Sequence, residues 1–266
     1  MVARFTFEHF RQAARAALAV ALISLSSVPS RSLSGFGHHA HRTSALTAAH
    51  TPSSSGRLVG KVSYEGTPKK IKPIEMGNEP SCAKLYATPL LPEGSITGPN
   101  NSLQNVVVFI SEGAADEKDA NPQPVQLAQR GCRYVPHILA SISNQEVIVK
   151  NEDPVTHSIH LLAQANRESN QSQPPGTPPF TLHLAQSEFI RVKCDIHPWM
   201  RSILAVFKNS HYAVTDSNGA FALPNLPSGK YTVTAWHETY GTQSKEITVS
   251  PGESKDLNFV FKVTPY

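Results

Sequence analysis

The amino-acid sequence predicts an all-β protein, and three observations support that prediction. The chain has 266 residues, of which 21 are proline and 15 are glycine, a composition that indicates many turns. Val, Ile, Thr and Phe, which favour strands, are frequent in its second half. After residue 30, no segment of useful length repeats its apolar residues with the period of a helix. A chain of this length is expected to form one or two domains, each with its own core.

Residues 1–30 are predicted to be a signal peptide for export. The segment begins with the basic residues Arg4, Arg11 and Arg15, and its short apolar run from Ala16 to Leu25 is followed by small residues. Because that run is too short to cross a bilayer comfortably, we expect no membrane span in the mature chain. An uncleaved N-terminal anchor is the alternative. The mature protein is therefore expected in the periplasm or outside the cell.

Residues 31–55 are predicted to form a disordered linker. The segment is poor in large apolar residues and rich in Ser, Thr, Ala and His, so it cannot bury enough surface to order itself. We interpret its histidines as a solvated tail, with loose metal binding as the alternative: His38, His39, His41 and His50.

The formal net charge of +4 is mild and arises partly from N-terminal arginines, so no nucleic-acid partner is predicted.

Strand patterns follow in three blocks after the linker. The first block opens with the alternating sequence GRLVGKVSYEG and continues with the β-branched segment Ser102–Gly113. The middle block, about residues 122–209, contains short strands that are interrupted by proline, asparagine and the sequence NEDP, and it ends with FIRVKC and SILAVF. In the last block, turns at Asp216–Gly219 and Pro227–Gly229 separate further short strands.

The sequence CDIHPWM, which lies between FIRVKC and SILAVF, contains three candidate metal ligands. Cys194 offers a soft thiolate, His197 an imidazole and Met200 a soft thioether, and this set suits copper better than magnesium or calcium. A second imidazole is expected from a neighbouring strand, and the upstream sequence VTHSIH offers His157 and His160. The alternative is structural, because Cys and Met are common in protein cores and a single histidine is often an incidental surface residue.

These two pieces of sequence resemble the cupredoxin family. CDIHPWM has the C-x2-H-P-aromatic-M spacing of the copper-ligand loop of amicyanin-like cupredoxins, and VIVKNEDPVTHSIHLLA resembles the segment that carries their first histidine. The resemblance covers about residues 122–209 and implies a Greek-key β-sandwich that binds one copper ion, which cycles between Cu(II) and Cu(I). The ligands that it implies are His157, Cys194, His197 and Met200.

The chain departs from the family pattern beside the first histidine. Cupredoxins usually have Asn there, and its side chain ties the two ligand loops together; this chain has Ser158. A serine hydroxyl can still bond toward the other loop at Asp195; the alternative is that the substitution removes this tie and alters how the ligands are oriented. His160 matches a non-ligand position, and we assign His137 and His183 to ordinary strand or loop hydrogen bonds.

The chain contains three cysteines, an odd number for an oxidising compartment. If Cys194 is held as a metal-bound thiolate, Cys82 and Cys132 are free to form a disulfide. The alternative is an unpaired, buried thiol at any of the three positions.

The blocks that flank the middle one resemble the carboxypeptidase-regulatory-like family of transthyretin-like β-sandwiches. The residues that match its pattern are Gly60, Val62, Thr215, Asp216, Gly219, Phe221, Leu223, Leu226, Pro227, Gly229 and Tyr231. Because the two pieces lie on either side of the copper-domain candidate, we expect one sandwich, residues 56–121 and 210–266, to be interrupted by a cupredoxin-like domain, residues 122–209. The combination is similar to exported bacterial proteins that join these two modules, and GCRYVPH and CDIHPWM carry that similarity.

The sequence therefore predicts an exported mononuclear type 1 (blue) copper protein that acts in electron transfer. It is not expected to be an enzyme, because no G-x-S-x-G elbow, prominent carboxylate pair or phosphate-binding glycine loop is present. We expect His197 near the surface, where Pro198 and Trp199 form a docking patch for a redox partner protein; core packing is the alternative for Trp199. The alternative functions are copper binding or delivery without redox relay, and a metal-free β-sandwich interaction module.

Overall fold

The computed structural model describes residues 55–68, 71–77, 79–95, 97–116 and 122–263. The predicted signal peptide and linker lie outside these ranges, except for Ser55, which begins the first strand. The described residues are nearly all in strands and connecting turns, so the all-β prediction is confirmed. Within the described ranges, no helix is long and apolar enough to cross a membrane.

Seventeen strands and one short helix are present in the described residues. The first elements are β1 (Ser55–Gly66), α1 (Pro80–Ala83) and β2 (Val107–Glu112). The next are β3 (Val125–Gln129), β4 (Tyr134–Val135), β5 (Ile138–Ile142), β6 (Glu146–Asn151), β7 (His157–Leu162), β8 (Ser169–Gln173), β9 (Phe180–His183), β10 (Glu188–Lys193) and β11 (Arg201–Phe207). The last are β12 (Tyr212–Val214), β13 (Ala220–Pro227), β14 (Gly229–His237), β15 (Gly241–Val249), β16 (Ser254–Asp256) and β17 (Phe259–Val263). Short 3-10 turns occupy Glu93–Ser95 and Pro99–Asn101.

Strands β3 to β11 form two sheets, which we call the inner sandwich. One sheet has the order β5-β11-β10-β7-β8 and the other has the order β4-β3-β6-β9. Apolar side chains of both sheets belong to a single buried cluster, so the sheets pack face to face. That cluster includes Leu127, Val147, Val149, Ile159, Leu161, Ile190, Val192, Leu204 and Val206.

The remaining strands form a second pair of sheets, which we call the outer sandwich. In one sheet β1 pairs with β13, β16 and β17, and the other sheet has the order β12-β2-β14-β15. Strand β1 contains Gly60 where the chain between β16 and β17 passes: a Cβ there would lie 1.7 Å from the carbonyl oxygen of Leu257. Only glycine fits this close backbone approach. The predicted turn at Asp216–Gly219 is present, and Gly219 has a positive φ of 69°.

Strand β11 shows why the sequence ILAVF is apolar at every position. Leu204 and Val206 face the core of the inner sandwich. Ile203, Ala205 and Phe207 lie in a separate buried cluster that also contains Val107 of the outer sandwich. A strand that is buried on both faces needs a continuous apolar run rather than an alternating one. This second cluster, in which Phe109, Phe189 and Trp236 also pack, is the junction between the two sandwiches.

The connection between β1 and β2 contributes to both sandwiches. Ile74, Met76, Tyr86 and Leu90, which the sequence analysis grouped with the outer sandwich, pack against the core of the inner one. A disulfide between Cys82 and Cys132 fastens this segment, with the two Cα atoms 5.7 Å apart. Cys194 is free and buried. This is the pairing that the sequence predicted under the condition that Cys194 is a ligand.

Candidate metal centre

Three adjacent strands of the inner sandwich bring the predicted ligands to one end of a sheet. His157 is the first residue of β7, Cys194 follows the last residue of β10, and Met200 precedes the first residue of β11. Strand β10 lies between β7 and β11, with Lys193 opposite both His160 and Arg201. The sheet pairing therefore places the beginning of β7 beside the loop that joins β10 to β11.

Hydrogen bonds within the Cys194–Met200 loop bring its three candidate ligands together. The Cys194 backbone N–H donates to the Met200 carbonyl oxygen at 3.1 Å, and the Met200 N–H donates to the His197 carbonyl oxygen at 2.9 Å. These bonds close the loop across the ends of two paired strands, so its spacing is fixed by the sheet. This tight connection thus holds the three residues of the C-x2-H-x2-M pattern close together.

The donor atoms of His157, Cys194 and His197 converge on one point. The Nδ1 atoms of the two imidazoles are 2.9 Å apart, and the Cys194 Sγ atom lies 3.7 Å from His197 Nδ1. One ligand atom from each of the three residues lies within 4.8 Å of the others. Their exposed fractions are 0%, 2% and 2%, and that of Met200 is 1%. A type 1 copper site uses two imidazoles, one thiolate and a thioether as donors. His157 and His197 provide the imidazoles, Cys194 the thiolate, and Met200, in the same loop as Cys194, a buried thioether. The residues present therefore fit copper.

Cys194 has the properties of a metal-binding thiolate. Burial raises the pKa of its thiol, but hydrogen bonds with His157, Ser158 and His197 outweigh burial and lower that pKa to about 6. The Ser158 backbone N–H donates to the sulfur at 3.3 Å, and the Ser158 hydroxyl lies 3.7 Å from it. Because the thiolate is the form that binds metals, this environment favours coordination.

Ser158 also provides the tie between the two ligand loops. Its hydroxyl accepts a hydrogen bond from the Asp195 backbone N–H at 2.8 Å. The contact between Ser158 and Asp195 that the sequence predicted is therefore confirmed. A serine at this position joins the β7 side of the site to the Cys194 loop through one oxygen atom.

Asp153 is a residue of this site that the sequence analysis missed. Its Oδ2 accepts a hydrogen bond from His157 Nε2 at 2.9 Å, on the side of the ring opposite Nδ1. Burial lowers the pKa of His157, but the interactions with Asp153 and Cys194 together outweigh burial and raise that pKa. The corresponding signal in the sequence is an acidic residue four positions before the histidine, in NEDPVTH, but a loop aspartate of this kind resembles any solvated one.

His197 lies near the surface, as expected, because it lines a surface cleft, but it is only 2% exposed. The segment around α1 covers its outer edge: Glu79 Oε2 lies 3.7 Å and Cys82 Sγ lies 3.9 Å from His197 Nε2. Trp199 is half-buried with its ring centre 5.1 Å from that of His197, and it packs against the inner core. Pro198 remains exposed. The cover comes from the connection between β1 and β2, which a reading of the ligand loop alone does not include.

The other histidines of the inner sandwich do not share this donor cluster. His160 points away from it and contacts the Asp195 carboxylate at 3.0 Å and Glu168 at 3.2 Å. His137 hydrogen-bonds to Glu238 and to the carbonyl oxygen of Arg201. His183 ends β9 in the other sheet and is exposed. The hydrogen bonds expected of His137 are present. His160 is separated from the Cys194 thiol, although it is only three residues from His157.

Comparisons with known proteins found one family model that matches part of the chain, and solved structures that are weakly similar to part of it. The family model "Carboxypeptidase regulatory-like domain" matches residues 204–262. No curated protein sequence matches the chain. The matched range begins within β11 and includes all strands from β12 to β16 with most of β17, so it lies mainly in the outer sandwich.

Among solved structures, the chain is similar to copper proteins over about a third of its length. The copper-containing nitrite reductase from Thermus scotoductus SA-01 aligns at 19% identity with a TM-score of 0.31, over 37% of this chain and 25% of that one. A purple cupredoxin from Nitrosopumilus maritimus aligns at 18% identity with a TM-score of 0.27, over 31% of this chain and 98% of that one. A Cu(I) form of amicyanin aligns at 17% identity with a TM-score of 0.28, over 37% of this chain and 97% of that one. The chain thus spans about a quarter of the nitrite reductase and nearly all of the two small proteins.

Proposed function

We propose that this protein is a mononuclear type 1 copper protein that transfers electrons, with His157, Cys194, His197 and Met200 as ligands. The observation that carries the proposal is the convergence of two imidazole Nδ1 atoms and a thiol of lowered pKa in a buried pocket. Buried polar side chains normally hydrogen-bond to the backbone or to one another for structural reasons. Here three metal-binding groups face each other, which is the arrangement expected of a metal centre.

The protein groups around the donors have defined tasks in this proposal. Copper, when bound, would supply one-electron chemistry by cycling between Cu(II) and Cu(I). Asp153 holds a proton on His157 Nε2, which leaves Nδ1 free to act as a ligand. Ser158 holds the Cys194 loop in place, because its N–H donates to the Cys194 sulfur and its hydroxyl accepts from the Asp195 N–H. The near-complete burial of the donors excludes water from the site.

We further propose the domain arrangement that the sequence predicts. Residues 56–121 and 210–266 would form a carboxypeptidase-regulatory-like sandwich, whose connection between β1 and β2 also packs on the inner one, and residues 122–209 a cupredoxin-like domain inserted into it. The sheet pairing supports this division, because every described sheet takes its strands from only one of the two sets. The family match to residues 204–262 supports the identity of the outer sandwich.

The proposed partner is a redox protein that docks near His197, Pro198 and Trp199. A surface cleft at this position is lined by Ile74, Glu75, Glu79, Ile196, Pro198 and Trp199 together with His197. Ile196 is 47% exposed, which is unusual for a large apolar side chain in this protein. We propose that the protein works in the periplasm or outside the cell, since a structural disulfide persists in an oxidising compartment. The protein is proposed to be an electron carrier rather than an enzyme.

The test is the visible absorption and electron paramagnetic resonance of the purified full chain after addition of one equivalent of Cu(II). An intense thiolate-to-copper band that disappears in Cys194→Ser supports the proposal, provided that the variant keeps the circular dichroism of the wild type. A reversible reduction potential supports electron transfer, whereas rapid loss of copper to a chelator would favour copper delivery. A colourless protein that binds no copper would overturn the proposal and favour a metal-free interaction module.

A further inference from the structure

The turn that carries Cys132 has an uncommon backbone conformation. Strands β3 and β4 form a hairpin in which Arg130 N–H donates to the Arg133 carbonyl oxygen at 2.9 Å, with Gly131 and Cys132 between them. Their φ angles are 66° and 53°. Two-residue hairpin turns with both φ values positive favour Asn and Gly, and a cysteine there is unusual. The cysteine at position 132 is therefore explained by its disulfide and other tertiary contacts rather than by the backbone preference of the turn.

Asp153 connects this turn to the first histidine. Its carboxylate accepts hydrogen bonds from the Gly131 N–H at 2.7 Å and from the Cys132 N–H at 2.8 Å. The same Oδ2 that accepts from Cys132 also accepts from His157 Nε2 at 2.9 Å. Asp153 is only 8% exposed, so its charge is satisfied by these donors rather than by water. The ring orientation of His157 is thus set by a carboxylate that the turn holds in place.

The disulfide connects the same turn to the second histidine. Cys82 Sγ lies 3.9 Å from His197 Nε2, and the Cys132 carbonyl oxygen accepts a hydrogen bond from Trp199 Nε1 at 3.1 Å. Cys132 is therefore in contact with both sides of the candidate site. The Cys132 N–H donates to Asp153, which also accepts from His157, while Cys82, the disulfide partner of Cys132, packs on His197.

We propose that Asp153 and the Cys82–Cys132 disulfide act as one positioning unit, which occupies the outer edge of both imidazoles so that each Nδ1 faces Cys194. This inference rests on the proposed function. Asp153 fixes the tautomer of His157, and the disulfide holds the cover that packs against His197. Loss of either component releases one imidazole and weakens the site, without removal of any ligand. The state of the disulfide is thereby linked to metal binding.

The first test measures the His157 ring in the metal-free protein and Cu(II) binding in parallel. At a pH where the imidazole is neutral, ¹⁵N NMR of the wild type is expected to show the proton on Nε2. Asp153→Asn replaces the acceptor by an amide, so the proton is expected to move to Nδ1 and the Cu(II) affinity to fall by about 10–100-fold. Glu152→Gln is the matched control: it removes a neighbouring carboxylate that pairs with Arg130 and Lys150 instead, and neither quantity should change.

The second test addresses the disulfide. The double variant Cys82→Ser/Cys132→Ser is expected to shift the ¹⁵N signals of His197 and to lower the Cu(II) affinity by about 10-fold or more. If this variant does not fold, reduction of the folded Cys194→Ser protein with a phosphine gives the same NMR comparison. Unchanged His157 tautomer and His197 signals in all these proteins would overturn the positioning proposal. A wild type that shows the predicted NMR behaviour but binds no Cu(II) would instead overturn the proposed function alone.

Discussion

The inner and outer sandwiches have similar architecture but bury polar groups in different ways. In the outer sandwich, the buried hydroxyl of Thr215 accepts a hydrogen bond from the Val106 N–H at 2.9 Å and donates to the Leu103 carbonyl oxygen at 2.8 Å. Backbone groups satisfy this side chain completely, and its task is to hold a strand connection. In the inner sandwich, the buried side chains of His157, Cys194 and His197 contact each other instead. A fold of two packed sheets therefore supports both arrangements, and it is the facing imidazole and thiol groups of the inner sandwich that led us to propose a metal centre there.

The largest expected effect is a loss of Cu(II) affinity, which should differ between substitutions of two histidines on the same strand. His157→Ala removes a donor from the buried cluster, so Cu(II) affinity is expected to fall by more than about 100-fold, because loss of an outer partner alone costs 10–100-fold. His160→Ala removes a histidine that contacts only Asp195 and Glu168, and it should leave the affinity unchanged. Isothermal titration of both folded variants makes the comparison. If His160→Ala weakened binding as strongly as His157→Ala, the assignment of the donors would be wrong.

An intermediate effect is expected from the buried hydroxyl of the outer sandwich. Thr215→Val preserves the shape of the side chain but leaves the Val106 N–H and the Leu103 carbonyl oxygen without their partner, which should cost about 2 kcal/mol of unfolding free energy. Urea denaturation measures this loss. Copper absorption of the folded variant should match that of the wild type, since Thr215 contacts only the outer sandwich. A changed copper spectrum would show that the two sandwiches are coupled more closely than their contacts indicate.

The smallest effect concerns an ion pair at the junction. Burial lowers the pKa of His137, but the hydrogen bond with Glu238 and the neighbouring negative groups together outweigh burial and raise that pKa. Burial raises the pKa of Glu238, but the hydrogen bond with His137 and the neighbouring positive groups together outweigh burial and lower that pKa. Glu93 Oε2, 3.8 Å from His137 Nδ1, also favours the charged imidazole, and Arg201 and His237 favour the charged carboxylate.

The stabilising contribution of this pair therefore depends on pH in both directions. The His137 contribution is complete below about pH 6.5, the ordinary pKa of histidine, and is lost as the pH rises through its higher value in the folded protein. The Glu238 contribution is complete above about pH 4.3 and is lost as the pH falls through its lower folded value. Glu238→Gln is expected to cost about 1 kcal/mol near pH 5.5 and less near pH 9, as measured by urea denaturation. An equal cost at both pH values would argue against a charged pair.

Much of the fold and part of the site could be predicted from the sequence because the signals are local. Alternating and β-branched segments predict strands, and the continuous apolar run in SILAVF reflects burial on both faces of β11. Cys194, His197 and Met200 lie within one short loop, so their proximity follows from chain connectivity. The contact from Ser158 to Asp195 was also predictable, because it joins the two segments that carry the ligand pattern.

Other features depended on contacts between distant segments. Cys82 is 115 residues away from His197, and the cover that it helps to form arises only when the connection between β1 and β2 folds onto the inner sandwich. Asp153 becomes a partner of His157 because the Gly131–Cys132 turn supplies two more donors to the same carboxylate. Local patterns in the sequence were enough to predict most strands and the types of the candidate ligands. The tertiary structure alone decided which polar atoms are buried against each other, because burial and hydrogen bonding are set by the packing of whole sheets.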